Sequence, residues 1–426
     1  MLSAGCRRAL VVGIALAVAA IVAVVGRRGG EDHPAAAPAP VARAPAARPA
    51  PDETPPLTRP AAARRKTSAA AADTSGAPDP QPSAAPPPRR PSTIGDLIVS
   101  GIDGTSASAR LLAEVREGAV GGVILMGANI ASIAQVRTLT ASLQAAAAAG
   151  HRPPLLVMVD QEGGTVRRFG SAHPARSARS LAALPVAAVW SAGRAAGEDL
   201  LSRGVNVDLA PVVDVAHSER NFLGTRAFAG DPGTVARYGC AFAHGIRAAG
   251  ALPTFKHFPG LGWAGATTTD AAPVTIGAAV SALQDDWAPY ARCAADGPGL
   301  TMVSNAVYPA LTGSRPAVIA AATYAAIRGL RFSGAIITDS LDAGSLRGID
   351  HLASKAVRAG ADLLLYTSEA AARRAVAELR ADVRAGGLSR ATVRDRAQRV
   401  RALRYCVAPL TRSRAAAKTS ATAGSM

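Results

Sequence analysis

Aromatic residues make up 4% of this 426-residue chain, and its four cysteines, Cys6, Cys240, Cys293 and Cys406, show no metal-ligand spacing. That excludes the zinc-ribbon and zinc-finger classes. No strand ends in His-x-His and no histidine–carboxylate spacing suits zinc, so a metal-dependent barrel hydrolase lacks support. No Gly-x-Gly-x-x-Gly follows the first apolar run, which removes the usual dinucleotide site. The net charge is +17. Its basic residues are nevertheless scattered, without a stripe interleaved with aromatics, so nucleic acid is not the expected partner. No cofactor is implied. Cys240 and Cys293 fall in two successive predicted helices. They either pair in an oxidising compartment or remain buried thiols.

What is present begins with location. "CRRALVVGIALAVAAIVAVVGRRGG" carries an uncharged run from Ala9 to Val25 between Arg7-Arg8 and Arg27-Arg28. A run of about 17 residues is the short limit for a spanning helix and longer than the usual core of a cleaved signal. We therefore read 1–28 as an N-terminal membrane anchor, with a cleaved signal as the alternative. Either one exports the rest, to the cell envelope or beyond. Residues 29–91 are Ala/Pro-rich without periodic apolar positions, as expected of a disordered, semi-rigid linker. Residues 411–426 read as a disordered tail.

Between these lies a segment, 92–410, with a different pattern. Eight runs, "DLIVSG", "GGVILMG", "PLLVMVD", "VNVDLAPVVDV", "LPTFKHF", "LTMVSNA", "GAIITDS" and "ADLLLYT", are mostly apolar throughout. Strands buried on both faces look like this. Alanine-rich helical stretches separate most of them, so the fold class is α/β with a parallel sheet. The number of runs suits a single (β/α)8 TIM-type barrel, with an open doubly wound sheet as the alternative. Two helices follow the last run, the second opening at Ser389 as N-cap.

Polar residues gather where those runs end: Asp160, Asp208, Asp214, Lys256-His257, Asn305 and Asp339. In a barrel that is the catalytic face. A strand-end carboxylate is costly unless something polar meets it. One such residue is often a helix cap, but a ring of them with Lys, His and Arg points to a site. A regular strand would send Lys256 and His257 to opposite faces, unless the turn at Pro259-Gly260 bends the chain.

"VDQEGGTVRRF", "NVDLAPVVDV", "GTRAFAGDP", "KHFPG" and "GAIITDSLDAGSL", in this order, resemble the N-terminal barrel domain of glycoside hydrolase family 3. The nearest subgroup is the single-domain bacterial β-N-acetylhexosaminidases that recycle peptidoglycan fragments. The resemblance implies a carbohydrate substrate containing N-acetylglucosamine, with a β-glucosidase-like enzyme as the in-family alternative. It implies that Asp339 is the nucleophile, forming a covalent glycosyl intermediate with net retention. It makes Asp160 an acceptor for sugar hydroxyls, and Arg168, Arg226, Lys256 and His257 donors around the first sugar. The bland alternatives are that Arg168 pairs with Glu162 or Asp160, that Arg226 caps a loop, and that His257 is a satisfied core histidine.

The resemblance also implies an Asp-x-His acid/base dyad just after the Lys-His pair. Here the stretch reads Asp270-Ala271-Ala272, and Leu261 replaces a second family histidine. Three outcomes follow. Asp270 acts alone, its carboxyl raised by burial and by Asp339. A histidine from elsewhere, His217 or His351, reaches in. Or the site binds sugar and turns it over slowly, as a wall-associated binding protein. "GWAGATTT" reads as a hinged lid, with Trp263 stacking on a sugar or packing beneath the lid.

Overall fold

The computed structural model describes residues 93–294 and 297–407. The expected N-terminal helix, the linker and the tail lie outside them. No helix among the described residues is long and apolar enough to cross a membrane.

All eight apolar runs form strands. They are β1 (Ile98–Ser100), β2 (Gly122–Leu125), β3 (Leu156–Val159), β6 (Val207–Asp208), β7 (Leu252–Phe258), β8 (Leu300–Val303), β9 (Ala335–Thr338) and β10 (Leu364–Leu365). A small antiparallel hairpin, β4 (Gln161–Gly163) with β5 (Val166–Arg167), interrupts the series. The sheet runs β10-β1-β2-β3-β6-β7-β8-β9, and every pair is parallel. An Ile337–Leu363 bridge and the bond from Thr338 N to Leu363 O (3.0 Å) bring β9 to β10 and close the ring. The closed barrel is therefore the architecture, and the open sheet is not.

Buried carboxylates fasten the seam and the base. The Asp362 carboxylate accepts from Ile336 N (2.9 Å), Arg328 Nη2 (2.7 Å) and Arg399 Nε (2.9 Å). Asp96, just before β1, holds Arg401 and Arg404 of the last helix (Arg390–Cys406). Arg404 also donates to the carbonyls of Pro153 and Pro154 ahead of β3. Val400, Leu403 and Val407 join the interior cluster that holds Val99, Met158 and Ile337. The last helix thus plugs the end where strands begin, and the opposite end is left for chemistry. Its N-cap is Ser389, which accepts from Thr392 N, as the sequence suggested.

The helix Pro232–Ala249 shows its stop and start signals in full. Asp231 accepts from Thr234 N, proline occupies the first turn, and Gly250 ends it at φ 100°. Cys240 on this helix is joined by a disulfide to Cys293 on the helix Ala288–Ala294, so the pairing alternative is the one realised. The bond spans 53 residues and should contribute about 2–4 kcal/mol by restricting the unfolded chain. We expect the Cys240→Ala/Cys293→Ala double variant to melt several degrees lower in calorimetry. An unchanged melting temperature would show that packing between the two helices suffices without the bond.

Candidate active site

The strand ends enclose a pocket of about 210 Å³. Asp160, Arg168, Arg226, Lys256, His257, Asp270 and Asp339 all line it. Seven residues from five separate sequence motifs therefore meet in one hollow.

Lys256 and His257 both reach it because β7 is irregular there. The pairing with β8 shifts register between Phe255 and Phe258. The expected alternation of faces is broken within the strand itself, ahead of the Pro259-Gly260 turn.

Lys256 Nζ lies 2.7 Å from both Asp160 Oδ1 and Glu162 Oε1. Arg226 grips Glu162 with two bonds, Nε to Oε2 at 2.7 Å and Nη2 to Oε1 at 2.9 Å. Arg226 is thus a pocket residue and not a loop cap. Arg168 Nη2 sits 3.6 Å from Asp160 Oδ2, too long for a good hydrogen bond. Its guanidinium keeps donors for something else.

Glu162 is the hub of this ionic ring, and its place comes from the β4–β5 hairpin, which turns the chain back over the strand ends. Burial alone would push its carboxyl up. Lys256 and Arg226 outweigh that and hold it at about 2. Burial likewise pulls Lys256 down, but Asp160 and Glu162 leave it raised. Glu162 and Lys256 are therefore both charged at neutral pH.

His257 is held from behind by Asp214, which is wholly buried. The Nδ1–Oδ2 distance is 2.7 Å, and Asp214 Oδ1 also accepts from the backbone N–H groups of His257 (3.1 Å) and Leu261 (2.8 Å). Engagement of Nδ1 leaves Nε2 for the pocket. Asp208 belongs to the hidden layer as well. It accepts from Gln161 N at 3.1 Å, and burial raises its carboxyl well above the ordinary range.

Asp339 follows β9 directly. Its N–H bonds to Val303 O (2.8 Å), continuing the ladder, and its Oδ1 accepts from Ser340 N (2.8 Å). Asn305 supports the turn by donating to Ser340 O at 2.8 Å. Burial raises the Asp339 carboxyl, His257 and Lys256 pull it down, and Asp270 pushes it up again. The two aspartates are therefore electrostatic neighbours.

Asp270 reaches the pocket from the lid, yet its side chain is exposed to solvent. The end of the lid is anchored where Asp270 O accepts from Gly344 N at 2.8 Å. A Cβ on Gly344 would lie 2.6 Å from Ala271 O, so that close approach requires glycine.

Neither candidate histidine from elsewhere lines the pocket. His217 Nε2 binds Asp286 at 2.9 Å, and its ring stacks on Trp263 with centroids 3.8 Å apart. His351 pairs with Asp382 at 3.0 Å. Trp263 is 42% exposed and so does not pack beneath the lid.

Residues 92–403 match the model of the glycosyl hydrolase family 3 N-terminal domain. The chain belongs to glycosyl hydrolase family 3. A β-hexosaminidase of Pseudomonas aeruginosa is 34% identical over 293 residues, covering 67% of this chain and 86% of that protein. A protein of Arthroderma benhamiae described as an uncharacterized secreted glycosyl hydrolase is 33% identical over 323 residues, 72% of this chain and 91% of that one. Among solved structures, a family 3 β-N-acetylglucosaminidase from a Paenibacillus species superposes with a TM-score of 0.70 at 30% identity. That match covers 74% of this chain and 62% of the other. The family 3 barrel described above is therefore a glycosidase, hydrolysing O-glycosyl bonds.

Glu162 was visible in the sequence only as an alternative partner of Arg168. Its weight could have been inferred from charge balance, since two buried cations near one strand end need more than one carboxylate. Asp214 was visible as a strand-end acid, but nothing local linked it to His257.

Proposed function

We propose that the protein is an exported, retaining, exo-acting β-N-acetylglucosaminidase that removes terminal sugars from peptidoglycan-derived glycosides. The observation that carries this reading is the convergence of Asp339, Asp270 and the Asp160–Lys256–Glu162–Arg226 ring on one pocket the size of a single sugar. In this reading Asp339 attacks the anomeric carbon, and the C–O bond to the leaving group breaks as the glycosyl–Asp bond forms. Asp160, Arg168, Lys256 and His257 hold the hydroxyls of the first sugar. Arg226 fixes Glu162, and through it Lys256. Asp270 protonates the departing oxygen and later takes the proton from water.

Export is supported by the Cys240–Cys293 disulfide, by the Arg-flanked apolar run at 9–25, and by the secreted relative. We assign 1–28 to a membrane anchor or a cleaved signal and 29–91 to a linker ahead of the barrel (92–410).

A fluorinated, activated N-acetylglucosaminide should label Asp339, as read by peptide mass spectrometry. A label elsewhere, or none, would overturn its role. A second reading, a sugar-binding protein with slow turnover, draws on Ala272 and on the exposure of Asp270. The Asp270→Ala variant separates the two. If Asp270 is the acid, hydrolysis of a disaccharide falls by about 10²–10⁴-fold, while a dinitrophenyl glycoside loses far less in its first step. Equal rates in variant and parent would favour the second reading.

A further inference from the structure

Away from the pocket, one face of the helix Glu369–Arg384 carries two carboxylates a single turn apart, Glu378 and Asp382. Like charges at that spacing repel and cost helix stability unless a cation stands between them. The start of the helix Leu352–Ala359 meets them there. His351, its N-cap residue, brings Nδ1 to 3.0 Å from Asp382 Oδ2, and Ser354 N donates to Glu378 Oε1 at 2.9 Å. Each of His351, Glu378 and Asp382 offers one ligand atom, and these atoms all lie within 4.8 Å of one another.

The basic side chains nearby do not fill the gap. Among the described residues, Glu378 has no ion pair with a lysine or arginine. Arg358 acts on Asp382 from a distance, but its Nη1 donates to Gly387 O at 2.8 Å. A second observation points the same way. Ser354 Oγ is completely buried and finds no hydrogen-bond partner of good geometry. It nevertheless faces Asp382: its hydroxyl, followed by His351, holds that carboxyl below the usual carboxylate range. Buried hydroxyls are seldom left in that condition.

We infer that His351, Glu378 and Asp382 form a divalent transition-metal site of the zinc class, outside the sugar pocket and independent of what that pocket hydrolyses. One imidazole nitrogen with two carboxylate oxygens suits zinc better than calcium or magnesium, which take oxygen shells. Tetrahedral ligands about 2.0–2.2 Å from zinc stand roughly 3.4 Å apart, so atoms within 4.8 Å close by no more than about 1.4 Å. The exposed His351 ring and the half-buried Glu378 side chain are free to make that adjustment. The ion displaces the proton between Nδ1 and Asp382, and a water in the remaining position gives Ser354 Oγ its partner. His351 also ends the segment that starts at Asp339, after β9. A bound ion therefore fastens the far end of that segment to the helix Glu369–Arg384. Local spacing concealed the site, because His351 and Asp382 are 31 residues apart.

The test is calorimetric titration of the full-length protein, first stripped of metal with a chelator, with Zn²⁺. His351→Asn and Glu378→Gln are titrated beside it. Both substitutions spare the fold, since asparagine tolerates the left-handed backbone at 351 (φ 51°) and glutamine still accepts from Ser354 N. We expect the parent to take up one zinc ion that each variant binds about tenfold more weakly or worse. Saturating zinc should raise the melting temperature of the parent by a few degrees, and that of the variants far less. Zinc held elsewhere on the protein would survive both substitutions. Undiminished uptake in either variant, or a parent that binds none, overturns the site. Equal affinity of the parent for Mg²⁺ overturns it too, because the imidazole would then have no part in binding.

Discussion

Asp339→Asn is expected to lower kcat by about 10⁴-fold or more on a natural glycoside, equivalent to roughly 5 kcal/mol of lost transition-state stabilisation. The amide is nearly the same shape, so the Ser340 N–H and the β8–β9 ladder should hold the side chain where it is. On the proposed mechanism, what disappears is the electron pair that bonds to carbon. The same carboxyl should set the acidic limb of the pH profile. A nucleophile must be ionised, and burial raises Asp339 above its ordinary value of 3.8. Activity therefore falls as pH drops through that raised value. The check is kcat/KM for an activated aryl glycoside across pH 3–7, a substrate whose cleavage needs little help from an acid. A limb at or below the ordinary 3.8 would show that Asp339 is not the group that must ionise.

The barrel was almost wholly legible. Each of the eight apolar runs became a strand, because burial on both faces leaves a continuous apolar signature that needs no partner to be recognised. The end plug was partly legible: Ser389 announced the last helix, but nothing in "RVRALRY" indicated that Arg404 would reach Asp96 and the prolines ahead of β3. The site was legible as a set of residues and not as a network. Asp160, Lys256, His257 and Asp339 end strands, so their positions follow from the fold. Glu162 lies on a hairpin too short to leave a periodic pattern, and its two cations come from residues 64 and 94 positions away. The cluster of His217, Trp263 and Asp286 joins three loop or helix-end residues that share no motif. Pairings between loops are decided by tertiary closure, and local sequence carries no record of them.

The second large effect concerns stability, and it follows from that ring of charge. Lys256 has 2% of its surface exposed and neutralises two carboxylates at once. Lys256→Met keeps the stem and removes the ammonium. Glu162 retains Arg226, but Asp160 is left with only the distant Arg168. Stranding buried charge in this way typically costs about 3–5 kcal/mol, which urea unfolding at pH 7 would show as a large drop in midpoint. The sign of the pH dependence is a sharper check. Glu162 is held at about 2 in the folded protein against an ordinary 4.5. Its contribution, on the order of 3 kcal/mol, is therefore complete above pH 4.5 and is lost as pH falls towards 2. In Lys256→Met the folded value moves back up towards 4.5, so the variant should lose less stability than the parent over the same acid range. The two unfolding curves should converge as the pH is lowered. Parallel curves would mean that Lys256 does not hold the Glu162 carboxyl down, and that their ion pair contributes nothing to the acid dependence.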